Sequence, residues 1–196
     1  GLVEGSPDGT TINPQKLACL DALVAACITN GIYITTDLYV SRSVPWRNIG
    51  VDRNGLIKMN EYKMLIPVHE GAWENLKTFT RQWLAHVNPY TGRRYADDPA
   101  LAWLSMINEG NFGNYMKEMQ GIPEWQQAWA AWLSVKQTHE PQAYAGIPPT
   151  LPGSIHGRDR HTTAFVLFLK GMEDRMIARM TAFLREEIKC RALITN

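Results

Sequence analysis

A helix that ends at a glycine and leads into an apolar strand constrains the fold most, and this pattern opens the chain. Asn13 and Pro14 favour the start of a helix, and apolar residues then recur at helical spacing as far as Cys27. Gly31 favours a left-handed helix end. The β-branched and aromatic run over 32–38 predicts a buried strand. The chain therefore begins with an α/β unit.

Helices and strands continue to alternate along the rest of the chain. The pattern predicts a helix over 71–87, a strand over 101–107, a short helix after Pro123, a long helix over 161–189 and a strand over 192–195. Two irregular segments interrupt this order, over 39–69 and 141–157, and a loop as long as the first is usually functional. The alternation predicts a parallel sheet with covering helices.

Composition limits the function classes. The 196 residues are enough for a single domain over 1–196 with its own core. Twenty basic and 19 acidic residues give a net charge of +1 without a basic stripe, which argues against a nucleic-acid partner. No apolar run reaches the roughly 20 residues that span a bilayer. We therefore expect neither nucleic acid nor a membrane as a partner.

The sequence shows no pattern for a metal or another cofactor. The five histidines have no metal-ligand spacing. Cys19 and Cys27 lie eight residues apart on one predicted helix, about 12 Å at the helical rise, which is too far for a disulfide. With Cys190 they are expected to be buried thiols.

The carboxyl ends of parallel strands are where active groups of α/β folds lie. This rule selects Asp37 after the first predicted strand and Asn108 with Glu109 after the second. An amide such as Asn108 can hydrogen bond a sugar hydroxyl, and a carboxyl such as Glu109 can protonate a leaving glycosidic oxygen. The alternative is that Glu109 is a solvated acid at a helix start, and position alone does not decide between the two.

The run HVNPYTGRRYADDPALAWLSMINEGN, residues 86–111, resembles a segment of the cellulase-superfamily retaining glycoside hydrolases of clan A, similar to family 5. In those enzymes an Asn-Pro-Tyr-Thr-Gly turn precedes a strand that ends in Asn-Glu. Residues 31–38 resemble the preceding barrel strand of that family, and 173–195 resemble the helix that leads into the next strand.

The resemblance implies a fold and a site. It implies a partial (β/α)8 barrel containing about strands three to five, with Glu109 as general acid/base and Asn108 as the residue that holds the sugar 2-hydroxyl. Gly110 departs from the Pro or Asn often found at its position. The substrate would be an oligo- or polysaccharide with β linkages, such as cellulose, mannan, galactan or xylan. An extracellular or periplasmic location is typical of such enzymes.

A second carboxylate is needed for retention, about 5–5.5 Å from the first. In the cellulase superfamily this second carboxylate comes from the seventh strand, and no acid of this sequence matches it. Glu118, Glu124 and Glu140 lie on predicted helices or connecting loops. We therefore expect the chain on its own to be inactive.

Other residues are candidates for substrate binding. Asp37 lines the cleft or braces the barrel end, and the two interpretations are equally supported. Tyr39 and Trp46 in the long segment are candidates for stacking on a sugar, with packing in loops as the alternative. Phe112, just after Glu109, is a candidate for bordering the same subsite.

Three rival functions stay open. The first alternative is a carbohydrate-binding module that breaks no bond. The second is a half-barrel that self-associates into a homo-oligomer through its open sheet edges, and the third is a barrel enzyme of another kind.

Overall fold

The computed structural model describes residues 1–195. Helices account for 53% of the chain. The helices are α1 Pro14–Thr29, α2 Met59–Leu65, α3 Glu70–Ala85, α4 Met116–Gln120, α5 Pro123–His139, α6 Pro141–Tyr144 and α7 Arg160–Ala182, which continues as a π-helical turn over Phe183–Glu187. The strands are β1 Ile34–Asp37, β2 Val87–Asn88, β3 Arg93–Arg94, β4 Leu101–Ser105 and β5 Leu193–Thr195.

The residues that predicted the two ends of the first helix form those ends in the structure. The Asn13 side chain accepts hydrogen bonds from the backbone N–H groups of Gln15 and Lys16, and Pro14 occupies the first turn. After Asn30 the backbone of Gly31 takes a left-handed φ of 68°. The expected helix, glycine and strand are therefore confirmed, although the strand is shorter than predicted.

The main sheet is parallel and has three strands in the order β1, β4, β5. Asp37 is the register partner of Ser105, and Ser105 is the partner of Thr195, so the carboxyl ends of the three strands lie together. The predicted parallel pairing is confirmed. β2 and β3 form a separate antiparallel ribbon.

The predicted partial (β/α)8 barrel is wrong. Within residues 1–195 the parallel strands number three, each of three to five residues, and the sheet is open. A barrel unit joins neighbouring strands through one covering helix. Here α2 and α3 precede β4, and α4 to α7 separate β4 from β5, so most of the chain is helical. Alternation of elements is shared by open and closed sheets and does not tell them apart.

Only one face of the sheet is well covered. Leu104, in register with Thr36 and Ile194, is fully buried. Trp103 and Leu193 are register partners on the opposite face and are 40% and 70% exposed. Parallel sheets are normally buried on both faces. This face is therefore open around Trp103 and Leu193, which form an exposed apolar pair, while Leu101 and Ser105 on the same face of β4 are buried.

The core lies between the covered face and the helices, and aromatic residues dominate it. Trp125, Trp129, Phe165 and Phe168 are fully buried and pack edge to face. The methionines of α7 that follow Phe168 at helical spacing are also buried. No helix within the described residues is both long and apolar enough to cross a membrane.

Candidate functional site

The turn after β4 places Glu109 at the carboxyl edge of the sheet. Its side chain is exposed, and its φ of 51° lies in the left-handed region. For residues other than glycine this conformation costs about 1–2 kcal/mol. Strained backbone of this kind persists where the surrounding structure holds it, and it is frequent at functional sites.

Three hydrogen bonds hold the turn. The Asn108 N–H donates to the Tyr39 carbonyl over 2.9 Å. The Tyr115 hydroxyl donates to the Glu109 carbonyl over 2.9 Å, and Lys63 Nζ donates to the Tyr115 oxygen over 3.3 Å. These bonds join the segment that follows β1 to the segment that follows β4 at Glu109. They therefore fix the backbone of the turn.

Lys63 is a buried cation behind this turn. Its side chain is almost fully buried on α2, and it lies 5.4 Å from the centre of the Tyr115 ring. No carboxylate lies within 4 Å of it in the part of the chain that the structure describes. Because Lys63 donates to the Tyr115 oxygen, the hydroxyl proton of Tyr115 is left to point at the Glu109 carbonyl. Sequence reasoning missed this pair, which has no local signal.

The strained turn leads to a prediction about stability. Glu109→Gly is expected to raise the free energy of unfolding by about 1 kcal/mol, because glycine adopts positive φ without a steric penalty. The measurement is urea denaturation. Lys189→Gly is the parallel case and should be stabilised for the same reason, since Lys189 is the other non-glycine residue with positive φ in residues 1–195, at 62°. A Glu109→Gly protein less stable than the unmodified one would contradict the strain argument.

Asp37 lies at the same edge of the sheet as Asn108 and Glu109. It ends β1, is half-buried, and pairs in register with Ser105, four residues before Glu109. The Leu38 N–H donates to the Ser105 carbonyl, which continues the pairing past the strand. The structure therefore brings together the three polar residues that the strand-end rule selected.

The three aromatic candidates are not available for stacking. Tyr39 is buried and its hydroxyl donates to the Met59 carbonyl over 3.1 Å. Trp46 is buried, with the Arg53 guanidinium 4.5 Å from its ring centre. Phe112 is buried edge to face against Trp125. All three have packing roles, which for Tyr39 and Trp46 was the alternative that the sequence left open.

Trp103 is the aromatic residue that sequence reasoning overlooked at this site. It lies on the open face of the central strand, on the same side as its register partners Thr35 and Leu193. Strand alternation shows that residues 103 and 104 face opposite sides. It does not show which side is uncovered. Its register partner Thr35 lies two residues before Asp37, and an exposed indole is the kind of platform on which a sugar ring stacks.

The histidines and cysteines do not form a metal site in the part of the chain that the structure describes. His86 Nε2 lies 2.9 Å from Asp21 Oδ2, and the Tyr95 hydroxyl donates to Asp21 Oδ1, so this group ties α1 to the end of α3. Burial, reinforced by the Asp21 carboxylate, raises the pKa of Tyr95.

The expectation that all three cysteines are buried is wrong in part. Cys190 is buried, Cys27 is half-buried and Cys19 is exposed. Cys19 lies on the solvent side of α1, where the weak amphipathic pattern of the helix gave no clear inner face.

Comparison with known proteins gives no further guidance: no protein-family model matches this chain, and no curated protein matches it.

Proposed function

We propose that Asn108 and Glu109 form the acid/base centre of a retaining glycoside hydrolase that acts on β-linked glycans. The observation that carries this proposal is the exposed Glu109 carboxylate on a strained turn at the carboxyl end of the central parallel strand. Residues 86–111, which resemble the acid/base segment of the cellulase superfamily, also support it.

Each residue of the site has a role in this proposal. Glu109 protonates the departing glycosidic oxygen and later activates water. The Asn108 amide holds the sugar 2-hydroxyl. Asp37 binds a hydroxyl at the neighbouring strand end, and the exposed Trp103 supports a sugar ring on the open sheet face.

The retaining mechanism also needs a nucleophilic carboxylate, and the proposal assigns none of the residues of this chain to that role. We therefore expect no turnover above the uncatalysed rate when the chain acts alone. An external nucleophile such as azide can stand in for the missing carboxylate.

The test is azide-dependent cleavage of 2,4-dinitrophenyl β-glycosides of glucose, mannose, galactose, xylose and cellobiose. Azide attacks the anomeric carbon, the carbon–nitrogen bond forms as the carbon–oxygen bond breaks, and dinitrophenolate leaves with the electron pair. The expected result is saturable cleavage of at least one sugar, with the α-glycosyl azide as product. Rates equal to those of azide and substrate without protein, for every sugar, would contradict the proposal.

A second candidate is a carbohydrate-binding module, which the exposed Trp103 also favours. Binding of a β-linked oligosaccharide without any azide-dependent cleavage would select this function. In that case Trp103→Ser would abolish binding and Glu109→Gln would leave it unchanged.

Self-association is a third candidate, favoured by the apolar open face and by the two free edges of the sheet. We expect the mass measured by sedimentation to rise with protein concentration over a hundredfold range. Leu193→Ser should keep the chain monomeric, whereas Leu167→Ser should not, because Leu167 is an equally apolar exposed residue on α7. A monomeric mass throughout the range would contradict this expectation.

A further inference from the structure

The free edge of β1 borders a cavity of about 390 Å³. The walls of the cavity are mostly apolar and come from α1, β1, α3 and the first residues of the chain, with Leu20, Val24 and Phe79 among them. Leu23, which is 59% exposed, also lines the cavity, so the cavity is open to solvent. A cavity of about 150 Å³ holds a benzene molecule, so this one has room for more than one apolar side chain.

The cavity runs along the edge of β1 rather than over one face of the strand. All of residues 34–38 line it, although successive side chains of a strand point to opposite faces. These residues share the edge of β1 that has no neighbouring strand in the sheet. The cavity therefore lies where a further strand of the sheet would lie.

The backbone groups of Thr35 and Asp37 are unpaired at this edge. The N–H groups of Ile34 and Leu38 donate to the carbonyls of Ala100 and of the last residue of β4, over 2.8 and 2.9 Å, so both face β4. Hydrogen-bonding groups alternate in direction along a strand, so those of Thr35 and Asp37 point toward the free edge. No helix or loop within residues 1–195 bonds them. Such unpaired groups are a template for pairing with another chain.

The carboxylate of Asp37 indicates the charge of the strand that would pair here. Asp37 is half-buried, and in the part of the chain that the structure describes no basic side chain lies within 4 Å of its carboxylate. A Lys or Arg on an added strand would supply the missing cation. The free edges of a second copy do not, because β5 is Leu193–Thr195 and a second β1 would bring another Asp37. Charge therefore favours a different polypeptide over a second copy.

We propose that the free edge of β1 takes up an extended segment of a partner polypeptide as an added strand. The backbone of that segment pairs with the N–H and carbonyl groups of Thr35 and Asp37. Its alternate apolar side chains fill the cavity beside Leu20 and Val24, and a basic residue on its other face pairs with the Asp37 carboxylate. In this mode of recognition main-chain hydrogen bonds give affinity, and pockets for alternate side chains give specificity. The site does not depend on the function of Glu109.

The experiment is isothermal titration calorimetry of the chain with the acetylated and amidated peptide Thr-Val-Lys-Val-Thr-Val-Thr. One derivative is N-methylated at each valine and another at each of the other residues. Alternate N–H groups of a strand point to opposite edges. One derivative should therefore bind at least about tenfold more weakly, and the other should bind like the parent peptide. Glu in place of Lys should weaken binding about fivefold, and Asp37→Asn should abolish this difference.

Thr35→Pro and Thr35→Val are the matched variants. Proline is accepted on an edge strand where its N–H would face outward, so Thr35→Pro should fold and bind the peptide at least about tenfold more weakly. Thr35→Val keeps the N–H and should bind like the unmodified chain. The N-methylated peptides test the same contact without any change to the protein.

Four results would each overturn the proposal. They are equal affinities of the two N-methylated peptides, full binding by Thr35→Pro, equal affinities of the Lys and Glu peptides, and no binding of the parent peptide at about 1 mM. If no peptide binds and Thr35→Pro abolishes a concentration-dependent rise in mass, the occupant of this edge is a second copy of the chain.

Discussion

Glu109→Gln is expected to lower the azide-dependent cleavage of glycosides with poor leaving groups by about 10²- to 10⁴-fold, the usual contribution of a positioned general acid. The same variant should cleave 2,4-dinitrophenyl glycosides at almost the unmodified rate. Dinitrophenolate leaves without a proton, whereas a phenolate or a sugar alkoxide needs one. The exposed carboxylate of Glu109 is the group that supplies this proton in the proposed mechanism.

The measurement is a series of aryl glycosides of one sugar, compared as the logarithm of the rate against the leaving-group pKa. The slope should become steeper in Glu109→Gln than in the unmodified protein. Glu118→Gln is the control, because Glu118 lies on α4 and has no role in the proposal. An equal loss of rate for all leaving groups would show that Glu109 binds or supports structure and is not the acid.

Trp125→Ala is expected to lower the free energy of unfolding by about 3–5 kcal/mol. Trp125 is fully buried, and its Nε1 donates to the Met64 carbonyl over 2.7 Å. Its ring packs edge to face against Phe112 and Phe168, so it joins the segment after Glu109 to α7. Removing it leaves a cavity at the centre of the helical core and an unpaired buried carbonyl, and both effects destabilise the protein.

Denaturant unfolding measures this loss, and Trp125→Phe separates its two causes. Phenylalanine keeps most of the packing and removes the hydrogen bond to Met64, so its cost should be nearer 1–3 kcal/mol. A loss below about 1 kcal/mol for Trp125→Ala would show that the core around α5 does not contribute to the cooperative unit of folding.

The sequence predicts the local elements well because their signals are local. The Asn13 cap and the positive φ at Gly31 depend on residues a few positions apart, and so does the extended run that becomes β1. Closure of the sheet is a property of the whole chain, and no short pattern records it. The barrel was therefore expected from resemblance and alternation, while the structure has a three-stranded open sheet.

The site was predictable only in part. Strand ends can be read from the sequence, so Asp37, Asn108 and Glu109 could be selected and do lie at one edge of the sheet. The burial of Tyr39, Trp46 and Phe112 and the exposure of Trp103 depend on which helices cover which face.

The uncovered face of the sheet also bears on how the protein can evolve. An exposed indole and an exposed leucine side by side make a chain less soluble, so mutations to polar residues at 103 and 193 would accumulate in any lineage that has no use for this surface. Substitution at these two positions among relatives would therefore record where the surface has lost its role. Persistence of large apolar residues there would record selection for the contact that the surface makes.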